Sequence, residues 1–278
     1  MTAWRGRSAS VSRFRDDWFV DVKLRESYDD FPRIEEQFHE ALDVSLDPRG
    51  GEVLYDVVAA FGLPHGATAV DVGCGEGEHT LALAKRFGFD VLGVDPVRRH
   101  IEVARAAGAR CVLGRAETLP VVDESVDLVW CRDVLTLVAD LDAVFAEMHR
   151  VLRPGGRALV YLMLATRLLE PEEAIRFYGD ELVPTSMDAG HVEAAMTSAG
   201  LTIAERIEIG SEWGERAEEE SGKPGRRLLW AARLLRDADR YIEQFGRRNY
   251  EIMLRDCHWH VYAMIGKIHR RAYVLARR

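Results

Sequence analysis

The chain has 278 residues, of which 47% are hydrophobic and 30% are charged, a composition typical of a globular protein rather than a disordered one. Charged residues interrupt every apolar stretch before it reaches the roughly 18 residues that a membrane span requires. The net charge of −9 disfavours a broad surface for polyanions, so we expect no nucleic acid and no membrane among the partners.

Cysteine usage and local charge add to this picture. The N-terminal residues lack the apolar core of a secretory signal, and the four cysteines, none of them in a C-x-x-C pair, are typical of a reducing compartment. We therefore expect a cytoplasmic protein. Residues 226–278 carry 13 basic against 5 acidic residues. This basic tail either pairs with the acidic remainder of the chain or lines a site for an anionic substrate.

The first 65 residues are predicted to form a helical extension. Pro32 favours a helix over 34–46, and after the turn residues at 47–51 the apolar spacing indicates a second helix over 53–61. The aromatic residues scattered near the N-terminus suit a lid that closes over a compact substrate. We therefore assign residues 1–65 to an N-terminal helical extension that acts as a lid.

From Thr68 onward, short apolar strands alternate with helices. This alternation, with short links, predicts a mostly parallel sheet with helices on both faces. The predicted elements are, in chain order, the strand 69–72, the helix 80–87, the strand 91–94, the helix 96–107, the strands 111–113 and 126–130, the helix 141–152 and the strand 158–164.

The last third of the chain completes the sheet around an inserted helical segment. The predicted fold is α/β, a Rossmann-like seven-stranded and mostly parallel sheet with helices on both faces. The N-terminal extension precedes it, and a helical insertion comes before the last strand. We assign the core to 66–210, the insertion to 211–268 and the last strand to 269–278. An insertion at that point covers the carboxyl edge of the sheet, where open α/β sheets bind ligands.

A glycine-rich turn follows the first predicted strand, with glycines at positions 73, 75 and 77 after Asp71. Glycines there allow positive φ and a close approach of a ligand to the backbone. The helix that follows offers unpaired N–H groups at its start. The spacing departs from the dinucleotide fingerprint G-x-G-x-x-G, because position 78 is Glu.

Asp95 closes the second predicted strand. A carboxylate at this place can accept hydrogen bonds from the hydroxyls of a ribose, and it can also cap the helix that begins near Pro96. Both roles are compatible. The combination of Asp71, the glycines and Asp95 is far more specific than any one of them.

Five sequence blocks in this order resemble the class I S-adenosylmethionine-dependent methyltransferases that act on small molecules. The resemblance covers roughly residues 66–165. The blocks are VDVGCGEG at 70–77, GVD at 93–95, RAETLP at 115–120, VDLV at 126–129 and RVLRPGG at 150–156. The resemblance implies S-adenosyl-L-methionine as the cofactor. It also places Asp71, Gly73 and Gly75 beside the amino-acid part of the cofactor and Asp95 on its ribose.

The same resemblance leaves the adenine contact open. Arg115 occupies the position where the family usually has an acid, and an arginine and the adenine amino group are both donors. We expect either Glu117 or the backbone of Ala116 to make this contact. Cys131 follows the fourth strand and lies near the methyl donor by position, with simple packing as the alternative for a small thiol.

No histidine follows the fourth strand, although the family often has one there. Arg132 is our candidate for binding an anionic acceptor, and an ion pair with Asp133, Asp140 or the acidic insertion is the alternative. His260, on the edge of an apolar stripe of the predicted helix 247–268, is the candidate acid or base and a second acceptor contact, with a polar helix rim as the alternative. Cys257 and His260 alone make no metal site, so we expect none.

These observations predict methyl transfer to a small-molecule acceptor at O, N or C, mainly by alignment of donor and acceptor. An RNA or protein methyltransferase is the alternative enzyme, and the negative charge disfavours RNA. The stretch from Trp130 to Asp133 also replaces the Asn-Pro-Pro-Tyr type of motif found in base-amino methylation. A further alternative is a catalytically inactive cofactor-binding module of the same fold. Helices at both ends of the chain suit a homodimer.

Overall fold

The computed structural model describes Tyr28 and residues 30–278, and the chain divides into two compact units, Met1–Asp47 and Pro48–Arg278. The first unit contains helix α1, which includes Tyr28 and residues 30–42, whereas the sequence predicts a helix over 34–46. Part of the predicted lid, residues 1–27 and 29, lies outside the described residues.

The second unit is built on a seven-stranded sheet with the strand order β3-β2-β1-β4-β5-β7-β6. Strands β1 to β5 are parallel, and β7 runs antiparallel to both of its neighbours. This topology confirms the predicted Rossmann-like, mostly parallel α/β fold. The strands are Thr68–Val72 (β1), Asp90–Asp95 (β2), Cys111–Leu113 (β3), Val126–Arg132 (β4), Leu152–Ala165 (β5), Leu201–Gly210 (β6) and Ile268–Arg277 (β7).

Helix α2 precedes β1, helices lie in each connection between the strands except that from β3 to β4, and four of them lie between β6 and β7. Short 3-10 turns at Leu135–Leu137 and Pro184–Met187 lie beside β5. The helices are Val53–Ala60 (α2), Glu78–Phe87 (α3), Arg98–Ala106 (α4), Leu141–Val151 (α5), Pro171–Tyr178 (α6), Ala189–Ser198 (α7), Glu212–Ser221 (α8), Lys223–Arg236 (α9), Ala238–Phe245 (α10) and Arg247–Met264 (α11).

Strand β5 begins earlier than the sequence pattern predicts. Leu152 already pairs with Val126, and the next pair is Leu128 with Arg157, so a bulge absorbs the residues between them. The Pro-Gly-Gly turn at 154–156 therefore interrupts the strand without ending it, because extra residues in one strand of a pair loop out while the pairing continues.

The sheet buries a hydrophobic core on each face. Along β4, Val129 and Cys131 belong to the core that packs against α5 and α7, whereas Leu128 and Trp130 belong to the core that packs against α2 and α3. Successive strand residues point to opposite faces, so a strand covered on both sides must be apolar throughout. This requirement explains the unbroken apolar run in β4.

The strand register brings three loops to one edge of the sheet. Val72 at the end of β1 pairs with Val94 in β2 and with Cys131 in β4. The residues that follow these paired positions therefore emerge side by side. They are the glycine turn, Asp95 and the segment that begins at Arg132, and together they form the ligand-binding edge of such sheets.

The described part of the chain contains neither a helix suited to cross a membrane nor a cluster of metal-binding side chains. None of its helices combines the length and apolar character that crossing a membrane requires. Residues 28 and 30–278 also contain no group of three or more His, Cys, Asp or Glu side chains placed to hold a metal ion. The four cysteines are free and buried.

We predict that the core beside α5 dominates stability. Phe145 is fully buried, whereas 54% of Phe245 is exposed. Phe145→Ala is expected to lower the free energy of unfolding by about 3–5 kcal/mol, because it removes buried apolar surface and leaves a cavity. Urea denaturation measures this loss, and Phe245→Ala is the matched control with an expected loss below about 1 kcal/mol. Equal losses in both variants would contradict the assignment of this core.

Candidate functional site

The glycine turn after β1 is held tightly against β2. The Gly73 amide donates to the Val94 carbonyl at 2.7 Å, with φ at +70°. A Cβ at Gly73 would lie 2.2 Å from Cγ2 of Val134, so only glycine fits. Gly75 has φ at +53°, and a Cβ added there would meet nothing within 4 Å. The turn is therefore packed on one side and open on the other.

Asp95 ties the glycine turn to the start of α4. Its Oδ2 accepts a hydrogen bond from the Gly75 amide at 3.0 Å, and its Oδ1 accepts one from the Val97 amide at 2.8 Å. The Nδ1 of His100 lies 3.0 Å from the same Oδ1. A carboxylate has roughly four lone-pair directions, and these three contacts leave one of them for a ligand. His100 is a neighbour of this carboxylate that the sequence pattern did not indicate.

Asp71 lies deeper, near the end of β1, with 2% of its surface exposed. Thr80 Oγ1 donates to its Oδ2 at 2.6 Å, which links the strand to α3. Burial raises the pKa of Asp71 to about 7, although the hydrogen bonds from Thr80 oppose this shift. Asp71 does not line the cavity described next, and its predicted contact with the cofactor stays a prediction.

A cavity of about 460 Å³, here called the loop cavity, opens at this edge of the sheet. It brings together five of the predicted cofactor residues, which come from three separate loops. His100, Arg115, Asp133 and Leu137 contribute to the same walls. The five predicted residues that line it are Gly73, Gly75, Asp95, Ala116 and Glu117.

Arg115 and Glu117 form an ion pair at one wall of the loop cavity, with Arg115 Nη2 at 2.7 Å from Glu117 Oε1. Partial burial works to raise the pKa of Glu117, but the hydrogen bond from Arg115 leaves it below its usual value. Glu117 is therefore an ionised hydrogen-bond acceptor at neutral pH. Arg115 thus pairs with the Glu117 carboxylate, and it does not take over the role of the acid that the family usually has at position 115.

Cys131 is placed in the core and not in the cavity. Only 1% of its surface is exposed, and it packs among the apolar residues beside α5. Burial raises the pKa of its thiol well above the usual range, so the group stays protonated and unreactive. This position corresponds to the packing alternative, and the predicted cofactor contact of Cys131 is untested.

Arg132 is fixed by a hydrogen-bonded chain that the sequence did not reveal. Its Nη1 lies 2.7 Å from Nε2 of His79, and Nδ1 of His79 lies 2.6 Å from the hydroxyl of Tyr55. A guanidinium only donates, so His79 Nε2 accepts and Nδ1–H donates to Tyr55. Burial, followed by the charge of Arg132, lowers the pKa of His79 to about 4. His79 is therefore neutral at pH 7.

The remaining contacts of Arg132 hold it against the insertion. Its Nε lies 3.4 Å from Oδ2 of Asp133, and its guanidinium carbon lies 5.3 Å from the ring centroid of Trp213 in α8. Trp213 in turn stacks on Tyr161 at 4.6 Å. The ion pair with Asp133 is the alternative that the sequence left open. Arg132 does not line the loop cavity, and its predicted role in acceptor binding stays a prediction.

Asp133 is the residue at which the chain turns after β4. Its φ of +57° is in the left-handed region, which is uncommon for a residue other than glycine. Its side chain is 44% exposed and lines the loop cavity. Burial of the rest of the carboxyl group by the surrounding walls raises the pKa of Asp133. The charges of Arg132 and Arg270 oppose this rise.

A second cavity of about 320 Å³, here called the helix cavity, lies beside α11 and shares Asp133 and Leu137 with the loop cavity. One face of α11 forms a wall, since its lining residues there follow the helical spacing of three and four. These residues are Ile252, Arg255, Asp256 and Trp259. Glu181, Leu182 and Thr136 complete the lining.

His260 also lies on α11 but lines neither of these two cavities. It is partly buried, and burial lowers its pKa below the usual value. Asp256 opposes this shift, whereas Arg227, Lys223 and Arg270 add to it. The predicted catalytic and acceptor-binding roles of His260 stay predictions.

The chain is similar to known methyltransferases along this site. A family profile described as a methyltransferase domain matches residues 70–160. The chain is 30% identical over 188 residues to the methyltransferase GfsG of Streptomyces halstedii, and the match covers 64% of this chain and 61% of that protein. It is 34% identical over 111 residues to the malonyl-[acyl-carrier protein] O-methyltransferase of Xylella fastidiosa, and this match covers 38% of each.

A solved structure shares the fold. The putative sarcosine dimethylglycine methyltransferase from Galdieria sulphuraria superposes with a TM-score of 0.61 at 18% identity, covering 81% of this chain and 83% of that chain. With the profile match and the site geometry, these findings confirm the resemblance. Residues 70–160 match the methyltransferase-domain family, and the relatives and the shared fold support a class I S-adenosylmethionine-dependent methyltransferase. The chain spans less than two thirds of the length of the two relatives.

We predict that the glycine turn tolerates no side chain at position 73. Gly73→Ala is expected to weaken binding of S-adenosylhomocysteine at least about tenfold and to cost about 1–3 kcal/mol of stability, because the new methyl group clashes with Val134. Gly62→Ala is the control, since Gly62 also has positive φ but has open space at the Cβ position. Calorimetric titration and urea unfolding measure both effects. Similar affinities in the two variants would argue against this turn as part of the site.

We predict that His79 makes stability depend on pH. Between its ordinary pKa of 6.5 and the folded value of about 4, the unfolded chain binds a proton that the folded chain does not. The free energy of unfolding therefore falls as pH drops through this window. Asp71, with its pKa raised to about 7, acts in the opposite direction, because the folded chain keeps a proton that the unfolded chain releases.

A variant isolates the contribution of His79 from that of Asp71. His79→Gln is expected to lose less stability than the wild type between about pH 7 and pH 5. His191→Gln, at an exposed site on α7, is the control and is expected to follow the wild type. Urea unfolding at both pH values measures the difference, and parallel curves for all three proteins would contradict a neutral His79.

Proposed function

We propose that the protein transfers a methyl group from S-adenosylmethionine to a small-molecule acceptor bound in the helix cavity. The observation that carries this proposal is the sharing of Asp133 and Leu137 by the loop cavity and the helix cavity. A donor in one cavity and an acceptor in the other meet at these two residues. The volume of about 320 Å³ suits a compact acceptor or the reacting end of a larger one.

The residues of the loop cavity fit this cofactor. The open side of Gly75 admits a ligand close to the backbone, and Asp95 has a free lone pair for a ribose hydroxyl. The ionised Glu117 accepts from the adenine amino group, which Arg115 cannot do. When bound, the cofactor supplies an electrophilic methyl group on a positively charged sulfur. The chain binds it, orients the acceptor and keeps water out of the junction.

The alternatives are less well supported. The walls of the helix cavity are formed by a single helix, a short turn and nearby side chains, which is a poor fit for a nucleic acid. The related enzyme from Xylella fastidiosa is named for a malonyl group on a carrier protein. Of the possible protein substrates, a small acceptor group attached to a carrier protein is therefore the one that agrees with a small cavity. An inactive module has no need for an acceptor cavity joined to the cofactor cavity.

We predict that Asp95 anchors the cofactor. Asp95→Ala is expected to weaken S-adenosylmethionine binding by about 10- to 100-fold, equivalent to about 1–3 kcal/mol for a lost buried polar partner. Asp90→Ala is the matched control, because Asp90 begins the same strand and is exposed. Titration calorimetry measures both affinities. If the wild type fails to bind S-adenosylmethionine, or if Asp95→Ala binds it unchanged, the assignment is wrong.

A further inference from the structure

We propose that the methylated group of the acceptor is an amine, which enters as an ammonium, binds to Asp133 against the ring of Trp259 and gives its proton to Asp133. This inference rests on the proposed function and adds the class of the acceptor and the identity of the base. It is carried by the lining of the helix cavity and by which of its charges are already paired.

The first step concerns position. Asp133 lies at the junction of the loop cavity and the helix cavity, and it is the only titratable side chain that lines both in the described part of the chain. A general base must be within hydrogen-bond reach of the proton that it removes. An acceptor atom next to the methyl donor is also next to Asp133, whereas His260 lines neither cavity.

The second step concerns charge. The helix cavity is lined by three carboxylates and one guanidinium. Arg255 lies 2.6 Å from Glu181, and Asp256 lies 2.7 Å from Arg227, so these charges are satisfied within the protein. Asp133 has a longer 3.4 Å ion pair with Arg132 and also feels the charge of Arg270, while 44% of its side chain is open. Among the charged residues that line this cavity, Asp133 is therefore the one without a close partner. Its negative charge favours a cationic ligand over an anionic one.

The third step concerns the apolar wall. Trp259 lines the helix cavity and is held by stacking on Phe177, with ring centroids 5.5 Å apart. An aromatic ring and a carboxylate that line one cavity are the combination that recognises ammonium groups, because the ring attracts the cation and the carboxylate accepts its N–H groups. Leu182 and Ile252 provide apolar contact for the carbon skeleton of the acceptor.

The chemistry balances without a further reactant. One N–H proton of the ammonium passes to a carboxylate oxygen of Asp133, and the nitrogen keeps the electron pair of that bond. The nitrogen then uses this pair to form the new N–C bond, while the S–C bond breaks and sulfur keeps its electrons, so S-adenosylhomocysteine is released. The product leaves as a methylated ammonium, and Asp133 returns its proton to water.

The groups around Asp133 suit this exchange. The walls of the cleft raise the pKa of Asp133, which brings it closer to the range in which a carboxylate can both take and release a proton. The charged and titratable groups that face Asp133 or line the helix cavity with it are Arg132, Tyr161, Arg270, Arg255, Asp256 and Glu181. Those that line the loop cavity with it are Asp95, His100, Arg115 and Glu117.

The test uses three probes with the same ring and different charge: benzylamine, benzyl alcohol and benzoate. The full chain is saturated with S-adenosylhomocysteine, and binding of each probe is measured by titration calorimetry near neutral pH. We expect benzylamine to bind at least about tenfold more tightly than benzoate, the usual effect of a charge-assisted hydrogen bond. Tighter binding of benzoate, or no binding of benzylamine, overturns the inference.

Asp133→Asn keeps the shape of the side chain and removes its charge. We expect it to weaken benzylamine binding at least about tenfold while benzyl alcohol binding changes less than about threefold. Asp142→Asn, at an exposed position in α5, is the control and is expected to bind all three probes like the wild type. Unchanged benzylamine affinity in Asp133→Asn overturns the inference.

Methyl transfer from labelled S-adenosylmethionine to benzylamine gives the second readout. The wild-type kcat is expected to fall on the acid side as Asp133 becomes protonated, and Asp133→Asn is expected to lower kcat at least about 100-fold and to remove this limb. An unchanged kcat or pH profile, or no transfer by the wild type, overturns the proton transfer. Failure of the wild type to bind S-adenosylhomocysteine at all overturns the proposed function itself, so the two failures are distinguishable.

Discussion

The parallel pairing of β1 with β2 on one side and with β4 on the other determines where the site forms. Val72 is opposite Val94 and Cys131 in these two ladders, so the three strands end together. Each strand then contributes a different group at the same edge: a glycine turn, a carboxylate, and the Arg132–Asp133 pair. A slip of one residue between β1 and β2 would turn Asp71 and Asp95 to opposite faces of the sheet.

Arg132 and Arg115 both lie near the site, and each is held by a different set of partners. Arg132 is engaged by His79, by Asp133 and by the ring of Trp213, and Arg115 is engaged by Glu117. Both guanidiniums thus have partners within the protein, whereas the sequence alone shows only two basic residues near the expected site. The neutral state of His79 is part of this arrangement, since a protonated ring would repel Arg132.

The fold and the cofactor part of the site are predictable from sequence because they depend on local patterns. Glycines at 73 and 75 and an aspartate ending β2 are recognisable from spacing alone, since each has a fixed place at the end of a strand that the sequence pattern predicts. His79, Tyr55 and Trp213 are not recognisable in this way. Their contacts join α2, α3 and α8 to the end of β4, and only the tertiary packing brings these helices together.

The same limit applies to the acceptor side. Asp133 was noted in the sequence only as a partner for Arg132, because its place between two cavities depends on how α11 lies across the edge of the sheet. The early start of β5 was missed for a related reason. A Pro-Gly-Gly sequence indicates a turn, and only the pairing of Leu152 with Val126 shows that the strand has already begun.

The path of the chain between β6 and β7 has an evolutionary consequence. The segment from α8 to α11 leaves the sheet at Gly210 and returns next to it, since Gly210 pairs with Arg270 in the adjacent strand. Its two ends are thus fixed to neighbouring positions, and its length and sequence can change without disturbing the strand order. A lineage of such proteins can therefore exchange this segment to gain new substrates while the cofactor-binding half of the molecule is inherited intact.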